Sequence, residues 1–318
     1  MCDVDHDERW VSSVLGVRLE ISWRLLQEIS RSPSRLHSLD AASWEPMSDT
    51  IEAETGEHDW REAGDAWGHQ AADWACLFEQ YADEVITAIH ERVGVGAGVR
   101  ALDIGCGSGL AIRRAAASGT SMAGIDAAEA LIEIARDRNP GADIRVGSMF
   151  ELPWADESFD AITSINSIWG GCADALGEAH RVLRPGGRIG LSFWGDGTPN
   201  DLRGCFKAFA RNAPVTHLNG MRRLNDIATP GVAEEMLVDA GFDVVERGAR
   251  VSTLEWPDAE IAWRALASIG PAVPAIRQAG PEHMKGEVLR AISDCEGRDG
   301  AYRFRNDHQF VIAEKPSG

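Results

Sequence analysis

An acidic residue, three alternating glycines and a second acidic residue stand close together in the chain. In the run ALDIGCGSG, Asp103 is followed by Gly105, Gly107 and Gly109, and Asp126 ends the next short apolar run. Glycine tolerates the backbone of a tight turn and lets a ligand approach the main chain closely. The amide groups of a following helix can bind polar ligand atoms, and carboxylates accept hydrogen bonds from hydroxyl and amine groups. These residue types therefore predict a binding site for a small polar ligand.

Short apolar runs alternate with helix-like segments from residue 100 onward, and this alternation predicts how the candidate residues are positioned. Strands that alternate with helices are typical of βαβ units and of a parallel sheet. The strand-like runs are 100–104, 121–125, 143–146, 161–165, 188–193, 242–245 and 309–313, with helix-like segments at 109–117, 127–137, within 166–185 and at 230–240. Pro185-Gly186-Gly187 predicts a turn just before the fifth strand. We predict an α/β fold with a mostly parallel seven-stranded sheet and helices on both faces.

The predicted strand ends locate the site. In open α/β sheets, ligands bind outside the carboxyl ends of the strands, at the point where the strand order reverses. The first strand ends near Asp103 and the second at Asp126, while the fourth runs into Ile165 and Asn166 and the fifth into Trp194. We therefore expect these residues to line one edge of the sheet.

The glycine run leaves two ligand classes open. The dinucleotide fingerprint is G-x-G-x-x-G. Here the third glycine, Gly109, comes one residue early, and Leu110 stands where the fingerprint requires glycine. NAD or FAD is therefore the alternative ligand and not the first choice.

The region resembles motif I of the class I S-adenosylmethionine-dependent methyltransferases, in which an acidic residue precedes GxGxG. DIGCGSG at 103–109 fits this motif, and Asp126 fits the family's acid at the end of the second strand. The runs GSMFELPWADESFD (147–160) and RVLRPGGRIGLSFWG (181–195) are similar to the family's adenine loop and fifth strand. The resemblance covers residues 65–195 approximately, and it implies a Rossmann-like fold and S-adenosyl-L-methionine as the cofactor.

The resemblance also implies which residues contact the cofactor. The Asp126 carboxylate would accept hydrogen bonds from both ribose hydroxyls. Ser148 stands where the family often has an acid in the adenine loop, and its hydroxyl is a weaker, uncharged acceptor. The implied cofactor-binding set is Asp103, Gly105, Cys106, Gly107, Gly109, Asp126, Ala127, Ser148, Met149, Ile165 and Asn166.

The implied activity is transfer of a methyl group to a small-molecule acceptor, a hydroxyl or carbon of an apolar or aromatic metabolite. Such an acceptor needs a base to take its proton. His69 and His217 are the first candidates for that base, followed by Asp226 and His283. The alternative function is a Rossmann-like nucleotide-binding protein without methyl transfer, acting as a sensor or as an NAD-dependent oxidoreductase.

Bulk composition argues against several classes of protein. The net charge of −19 opposes nucleic-acid binding, which rewards clustered Lys and Arg. No apolar run is long enough to span a membrane, and the acidic start lacks a secretory pattern. Six cysteines without a CxxC pair are typical of a reducing cytoplasm and do not form a zinc motif. We expect a cytoplasmic enzyme that uses no metal and no nucleic acid; the oligomeric state stays open.

Tryptophan is enriched around the expected site, and two insertions predict what covers it. Trp67, Trp74 and Tyr81 recur at heptad spacing on one predicted helix. We divide the chain into an extension that the motifs do not require (1–46), an N-terminal helical lid (47–95), the cofactor-binding core (96–195) and a last part (196–318) with helical insertions at 196–228 and 256–306. The insertions predict a helical cap over the carboxyl ends of the strands, closing a substrate pocket that includes Trp67, Trp74, Trp169 and Trp194.

Overall fold

Seven strands form one sheet in the computed structural model, which describes residues 60–214 and 226–318. They are β1 (Arg100–Ile104), β2 (Ser121–Asp126), β3 (Asp143–Val146), β4 (Phe159–Ile165), β5 (Leu183–Trp194), β6 (Asp243–Trp256) and β7 (Tyr302–Glu314). The order across the sheet is β3-β2-β1-β4-β5-β7-β6. Strands β1 to β5 pair in parallel, and β7 runs antiparallel to both of its neighbours. The predicted mostly parallel, seven-stranded sheet is confirmed.

Helices cover both faces of this sheet, as predicted. They are α1 (Trp60–Gly68), α2 (Ala71–Asp73), α3 (Asp83–Val93), α4 (Leu110–Ala116), α5 (Glu129–Arg138), α6 (Ala175–Val182), α7 (Arg203–Asn212), α8 (Val232–Asp239), α9 (Ala259–Ala267), α10 (Ala272–Ala279) and α11 (Pro281–Ala291). One hydrophobic cluster contains side chains of α3, α4, α7 and α9 to α11, and the other contains those of α6 and α8.

The central strands are buried on both faces, which explains their continuous apolar sequence. Along β1, Ala101 belongs to the first cluster, whereas Leu102 and Ile104 belong to the second. Because side chains alternate along a strand, Asp103 lies on the same face as Ala101. The strand order reverses between β1 and β4, so the carboxyl ends of these two strands form the switch point.

The region before β1 differs from the single heptad-patterned helix that we predicted. After α1 and α2 the chain forms a π-helical turn, Trp74–Phe78, and then a 3₁₀ turn, Glu79–Ala82. A turn at His69 and Gln70 follows α1, and the changes of helix type rotate the side chains away from heptad positions. Trp67 and Trp74 do contact each other, with ring centroids 6.2 Å apart, but Tyr81 instead stacks on Trp194 at 4.6 Å.

Three strands also differ from their predicted limits. The predicted turn Pro185-Gly186-Gly187 lies inside β5 as an irregularity, because Leu183 pairs with Phe159 and Arg188 with Ala161. Strands β6 and β7 extend well beyond 242–245 and 309–313, and their outer halves pair from Val251 to Trp256. Polar residues such as Ser252 and His308 take buried positions there, which concealed the strand pattern.

The segment between β6 and β7 contains α9, α10 and α11. Helix α7 packs against α10 and α11, and the Trp256 indole donates to the Leu77 carbonyl at 2.8 Å. The predicted extension 1–46, the start of the predicted lid (47–59) and positions 215–225 of the first insertion lie outside the described residues. Within the part of the chain that is described, no helix combines the length and apolar character needed to cross a membrane.

Candidate active site

The three glycines form a tight turn between β1 and α4. Gly105, Gly107 and Gly109 have φ angles of 71°, 52° and 83°, a region that favours glycine because it has no Cβ. The amides of Gly105 and Cys106 both donate to the Ile125 carbonyl, at 2.8 and 3.0 Å. The turn is thereby fixed to the end of β2.

Asp126 connects this turn to the start of α5. One carboxylate oxygen accepts from the Gly107 amide at 2.8 Å and the other from the Ala128 amide at 2.8 Å. Burial raises the pKa of the Asp126 carboxyl, and these backbone hydrogen bonds oppose that rise. A carboxylate offers about four lone-pair sites, so ligand hydroxyls can still bind beside these backbone donors.

Asp103 is the most buried carboxyl of the site, with 1% of its surface exposed. Its Oδ1 accepts from the Thr163 hydroxyl of β4 at 2.7 Å. Burial raises the pKa of Asp103 to about 7, against the lowering effect of the Thr163 hydrogen bond, and the negative charges of Asp126 and Glu79 add to the rise. Asp103 therefore titrates near neutral pH.

A third carboxyl, Glu79, reaches the turn from the segment before β1. It accepts from the Ser108 hydroxyl at 2.6 Å and from Arg138 Nη1 at 2.8 Å, and Arg138 Nη1 also contacts the Ser108 hydroxyl. Burial raises the pKa of Glu79, while the hydrogen bond from Ser108 and the charge of Arg138 lower it. Glu79 and Arg138 are 59 positions apart in the chain, so no local sequence pattern predicts this pair.

The carboxyls of Glu79, Asp103 and Asp126 thus lie around the glycine turn. Among the described contacts, Arg138 is the cation that pairs with one of them. Their mutual repulsion contributes to the raised pKa of Asp103. A positively charged ligand would relieve this repulsion. The site therefore has the electrostatics of a cation-binding pocket.

Asn166 follows β4 and is fixed by hydrogen bonds through its side chain. Its Oδ1 accepts from the Ser192 hydroxyl at 3.0 Å and from His308 Nε2 at 2.8 Å, and its Nδ2 donates to the Tyr81 hydroxyl at 3.0 Å. These bonds stabilise its φ of 55°, which is unusual for a residue other than glycine. His308 Nδ1 in turn accepts from the Ser252 hydroxyl at 2.8 Å.

Aromatic rings surround this hydrogen-bonded group. The Tyr81 ring stacks on Trp194 with centroids 4.6 Å apart, and Trp194 stacks on His308 at 5.1 Å. Burial lowers the pKa of His308 to about 3 and raises that of Tyr81 well above its usual range. His308 is therefore neutral, and Tyr81 is a hydrogen-bond donor and not a base. Tyr81 was predicted only as part of a helical stripe, and His308 was not predicted, although it stands at a core-facing position of β7.

Trp74 lies directly over the glycine turn. A Cβ on Gly107 would lie 2.8 Å from Cη2 of the Trp74 indole. The Trp67 and Trp74 rings meet in a T-shaped contact, with an interplanar angle of 80°. The Nε1 atom of Trp74 is buried, and no hydrogen-bond partner for it lies among the described residues.

The remaining predicted cofactor contacts occupy the same edge of the sheet or the loops beside it. The Gly147 amide, after β3, donates to the Asp126 carbonyl at 3.0 Å, and the next residue, Ser148, accepts from the Phe150 amide at 3.1 Å. Ile165 packs against the first hydrophobic cluster, and Met149 against the second. Ala127 precedes α5. Burial raises the pKa of the Cys106 thiol well above its usual value, so this thiol is unreactive.

The predicted substrate tryptophans do not form one group. Trp67 and Trp74 contact each other, and Trp194 stacks on Tyr81. Trp169 instead packs with Met149 against the cluster on the other face of the sheet. The structure therefore separates Trp169 from the other three.

The candidate bases lie apart from this hydrogen-bonded centre or outside the described residues. His69 is exposed in a cleft that it shares with Asp65, Glu129 and Glu133, outside the start of α5. His217 lies outside the described residues. Asp226 is exposed, and His283 is an exposed residue of α11 whose Nε2 contacts the Asn212 side chain at 3.3 Å.

Comparison with known proteins extends these observations. A family model described as a methyltransferase domain matches residues 102–191. Malonyl-[acyl-carrier protein] O-methyltransferase of Methylococcus capsulatus is 31% identical over 208 residues, which are 63% of this chain and 71% of the relative. The 27-O-demethylrifamycin SV methyltransferase of Amycolatopsis mediterranei is 37% identical over 126 residues, 34% of this chain and 45% of that protein. The match to the second relative thus spans less than half of its length.

Solved structures share the fold. The [4+2]-cyclase SpnF aligns with a TM-score of 0.52 and 21% identity over 81% of this chain and 95% of that protein. The YcgJ protein of Bacillus subtilis aligns with a TM-score of 0.50 and 17% identity over 74% of this chain and all of that protein. At these identities the likeness establishes the fold alone. A cyclase among the neighbours illustrates that this fold hosts more than one reaction.

The sheet order, the turn at its switch point and the matched domain agree on the class of protein: it is a methyltransferase that uses S-adenosylmethionine. The chain belongs to the class I family of these enzymes. It transfers a methyl group from the cofactor to a small-molecule acceptor. Methyl transfer, and not the NAD-dependent alternative, is therefore its activity.

The residues present fit this cofactor. S-adenosylmethionine carries a sulfonium and an ammonium group, which the carboxyls around the turn would stabilise. Its ribose hydroxyls match the acceptor oxygens of Asp126, and Trp74 Nε1, which has no partner among the described residues, offers a donor. When bound, the cofactor supplies a methyl group that is already activated on sulfur.

Cofactor binding should depend on pH through Asp103. Without ligand its pKa is about 7, so the carboxyl is largely protonated at pH 6, and a cation favours the ionised form. We expect S-adenosylmethionine to bind more tightly as pH rises from about 6 to 8, by up to about tenfold per unit below the pKa, with release of a proton. Calorimetry in buffers of different ionisation enthalpy measures that proton.

The demethylated product is the matched control, because S-adenosylhomocysteine lacks the sulfonium charge. We expect its affinity to depend less on pH. Asp103→Asn should remove the difference between the two ligands. Equal pH dependence for both ligands in the wild-type protein would contradict the assignment to a charge effect.

Proposed function

We propose that the acceptor is an acidic hydroxyl, a phenol or an enol, on an apolar ring-containing small molecule. The observation that carries this proposal is the stack of Tyr81, Trp194 and His308 around Asn166, beside the glycine turn. Stacked rings favour a planar apolar acceptor, and the Tyr81 hydroxyl adds a polar group to orient it. Two of the matched relatives are named for O-methylation, which supports oxygen over carbon.

The acidity of the acceptor is inferred from the neighbouring histidine. A hydroxyl must lose its proton during methyl transfer. His308 cannot take it, because its pKa is about 3 and both ring nitrogens are hydrogen-bonded. The acceptor therefore loses its proton to bulk water before transfer and binds as the anion, and catalysis then rests on alignment and exclusion of water. Tyr81 donates to the acceptor oxygen and leaves a second lone pair for the methyl group.

We assign roles to the predicted cofactor residues on the same basis. Asp126 would bind the ribose hydroxyls, and the turn from Gly105 to Gly109 would carry the rest of the nucleoside, with Ser148 beside the adenine. The helices α9 to α11 would form the cap over the acceptor. We also propose a cytoplasmic enzyme that does not act on nucleic acid, supported by the free thiols of the five described cysteines and the net charge of −19.

A methyl-transfer screen tests the acceptor class. The full chain is incubated with methyl-labelled S-adenosylmethionine and with apolar ring compounds carrying a phenol, an enol, an alcohol or a carboxylic acid, alongside DNA, tRNA and a basic protein. We expect label in organic-soluble products of the phenols or enols, and the new bond should survive alkali, as an aryl or enol ether does. Macromolecules should stay at background.

The class of labelled compound and the stability of its new bond to alkali decide whether the proposal holds. Alkali-labile label would indicate a methyl ester and contradict the proposal, as would label confined to the alcohols or to macromolecules, or a panel without any labelled phenol or enol. Asp126→Ala is the control for cofactor dependence, and we expect it to bind S-adenosylhomocysteine about tenfold more weakly. Asp126→Asn keeps one acceptor oxygen and should lose less.

A further inference from the structure

Trp74 occupies a position in which its side chain can act on a bound ligand. It is the first residue of the π-helical turn Trp74–Phe78, and π-helical turns occur frequently at functional sites. Its ring lies against Gly107, at the centre of the glycine turn. A larger residue at position 107 could not coexist with the indole. The indole ring and the glycine turn are therefore closely packed against each other.

The indole nitrogen is the unusual feature of this contact. Nε1 of Trp74 is buried and has no partner among the described residues, whereas Trp154 Nε1 donates to Asp143 at 2.9 Å and Trp256 Nε1 to the Leu77 carbonyl at 2.8 Å. Buried donors in native proteins nearly always have an acceptor. The exception belongs to the ring whose Cη2, Cζ3 and Cζ2 atoms lie against Gly107.

The backbone around Trp74 is held in place, so the ring is positioned before any ligand arrives. The Trp74 amide donates to the Gln70 carbonyl at 3.0 Å. Arg138 Nη2 donates to the Ala75 carbonyl at 3.1 Å, and the same guanidinium pairs with Glu79. Preorganised groups lose less entropy on binding.

We propose that Trp74 is a cofactor-binding residue whose Nε1–H donates a hydrogen bond to an oxygen of bound S-adenosylmethionine. The oxygen belongs either to the methionyl carboxylate or to the ribose, since both are strong acceptors next to a glycine turn. This inference concerns the cofactor and is independent of the acceptor proposed above.

Calorimetry with S-adenosylhomocysteine tests the proposal in the full chain. Trp74→Phe removes the N–H and keeps an aromatic ring, and we expect about tenfold weaker binding. Trp67→Phe is the matched control, because Trp67 belongs to the same aromatic pair and packs against Gly270 instead of the glycine turn. It should bind the ligand within about twofold of the wild-type protein. Circular dichroism and melting temperature verify that both variants fold.

A second measurement uses only the wild-type protein. The indole ¹H–¹⁵N signal of Trp74, assigned through its backbone connectivity, should move downfield when S-adenosylhomocysteine binds. Titration with 5′-methylthioadenosine, which lacks the carboxylate, separates the two sources: a similar shift assigns the ribose, and its loss assigns the carboxylate. An unmoved signal with S-adenosylhomocysteine, or equal losses of affinity in Trp74→Phe and Trp67→Phe, would overturn the proposal.

Discussion

Replacing Gly105 by alanine is expected to lower the free energy of unfolding by about 2–4 kcal/mol. Gly105 has a φ of 71°, which strains a residue that carries a Cβ. The added methyl group would also overlap the side chain of Ser167, whose hydroxyl donates to the Ile104 carbonyl at 2.5 Å. Ser167 cannot move away without breaking that bond. Thermal and denaturant unfolding should show a melting temperature lower by roughly 5–10 °C.

Two further variants make this expectation specific. Gly177→Ala adds the same methyl group within α6, where no heavy atom lies within 4 Å, and we expect it to raise stability by up to about 1 kcal/mol. Adding Ser167→Gly to Gly105→Ala removes the overlap and should recover part of the loss. If Gly105→Ala has the same melting temperature as the wild-type protein, the inferred close packing of the turn against Ser167 is wrong.

The parts of the fold that could be predicted are those encoded locally. The apolar runs of β1 and β2 and the glycine turn between β1 and α4 are each specified by a few adjacent residues. Their order then determines the sheet, because βαβ connections place each carboxyl end at the same edge. Asp103, Asp126 and Asn166 were located in this way. None of these predictions needed a contact between distant parts of the chain.

The missed residues all depend on such distant contacts. Glu79 meets Arg138 across 59 positions, and Asn166 meets His308 across 142, and no local pattern records either pairing. A weaker signal was present in β7, where Phe304, Asn306, His308 and Phe310 alternate toward the core. Polar residues at core-facing positions of a strand require hydrogen-bond partners. That requirement could have identified His308 as part of a buried network, although not its partners.

The tryptophan pattern shows the opposite limitation. Heptad spacing predicted one stripe of Trp67, Trp74 and Tyr81, but spacing determines a face only while the helix stays regular. The π-helical and 3₁₀ turns between residues 74 and 82 break that regularity. They direct Trp74 to the glycine turn and Tyr81 to Trp194. The same irregular segment also supplies Glu79, so its departure from a regular helix builds much of the site.

Glu79→Ala should lower the free energy of unfolding more than the other variants. Loss of one partner of a buried ion pair costs about 3–5 kcal/mol, because the remaining charge stays buried without its partner. Arg138 keeps 23% of its side chain exposed, so we expect the lower half of that range. The loss would also remove the Ser108–Glu79 hydrogen bond and the ion pair that fixes Arg138, whose Nη2 donates to the Ala75 carbonyl beside Trp74, so S-adenosylhomocysteine should bind more weakly as well. Asp83→Ala is the matched control, because Asp83 pairs with Arg114 at 2.7 Å where 52% of the arginine side chain is exposed. Such a surface pair contributes about 0–1 kcal/mol. Urea unfolding and calorimetry on both variants decide the matter: equal, small losses of stability with unchanged affinity would show that Glu79 does not hold this segment on the turn.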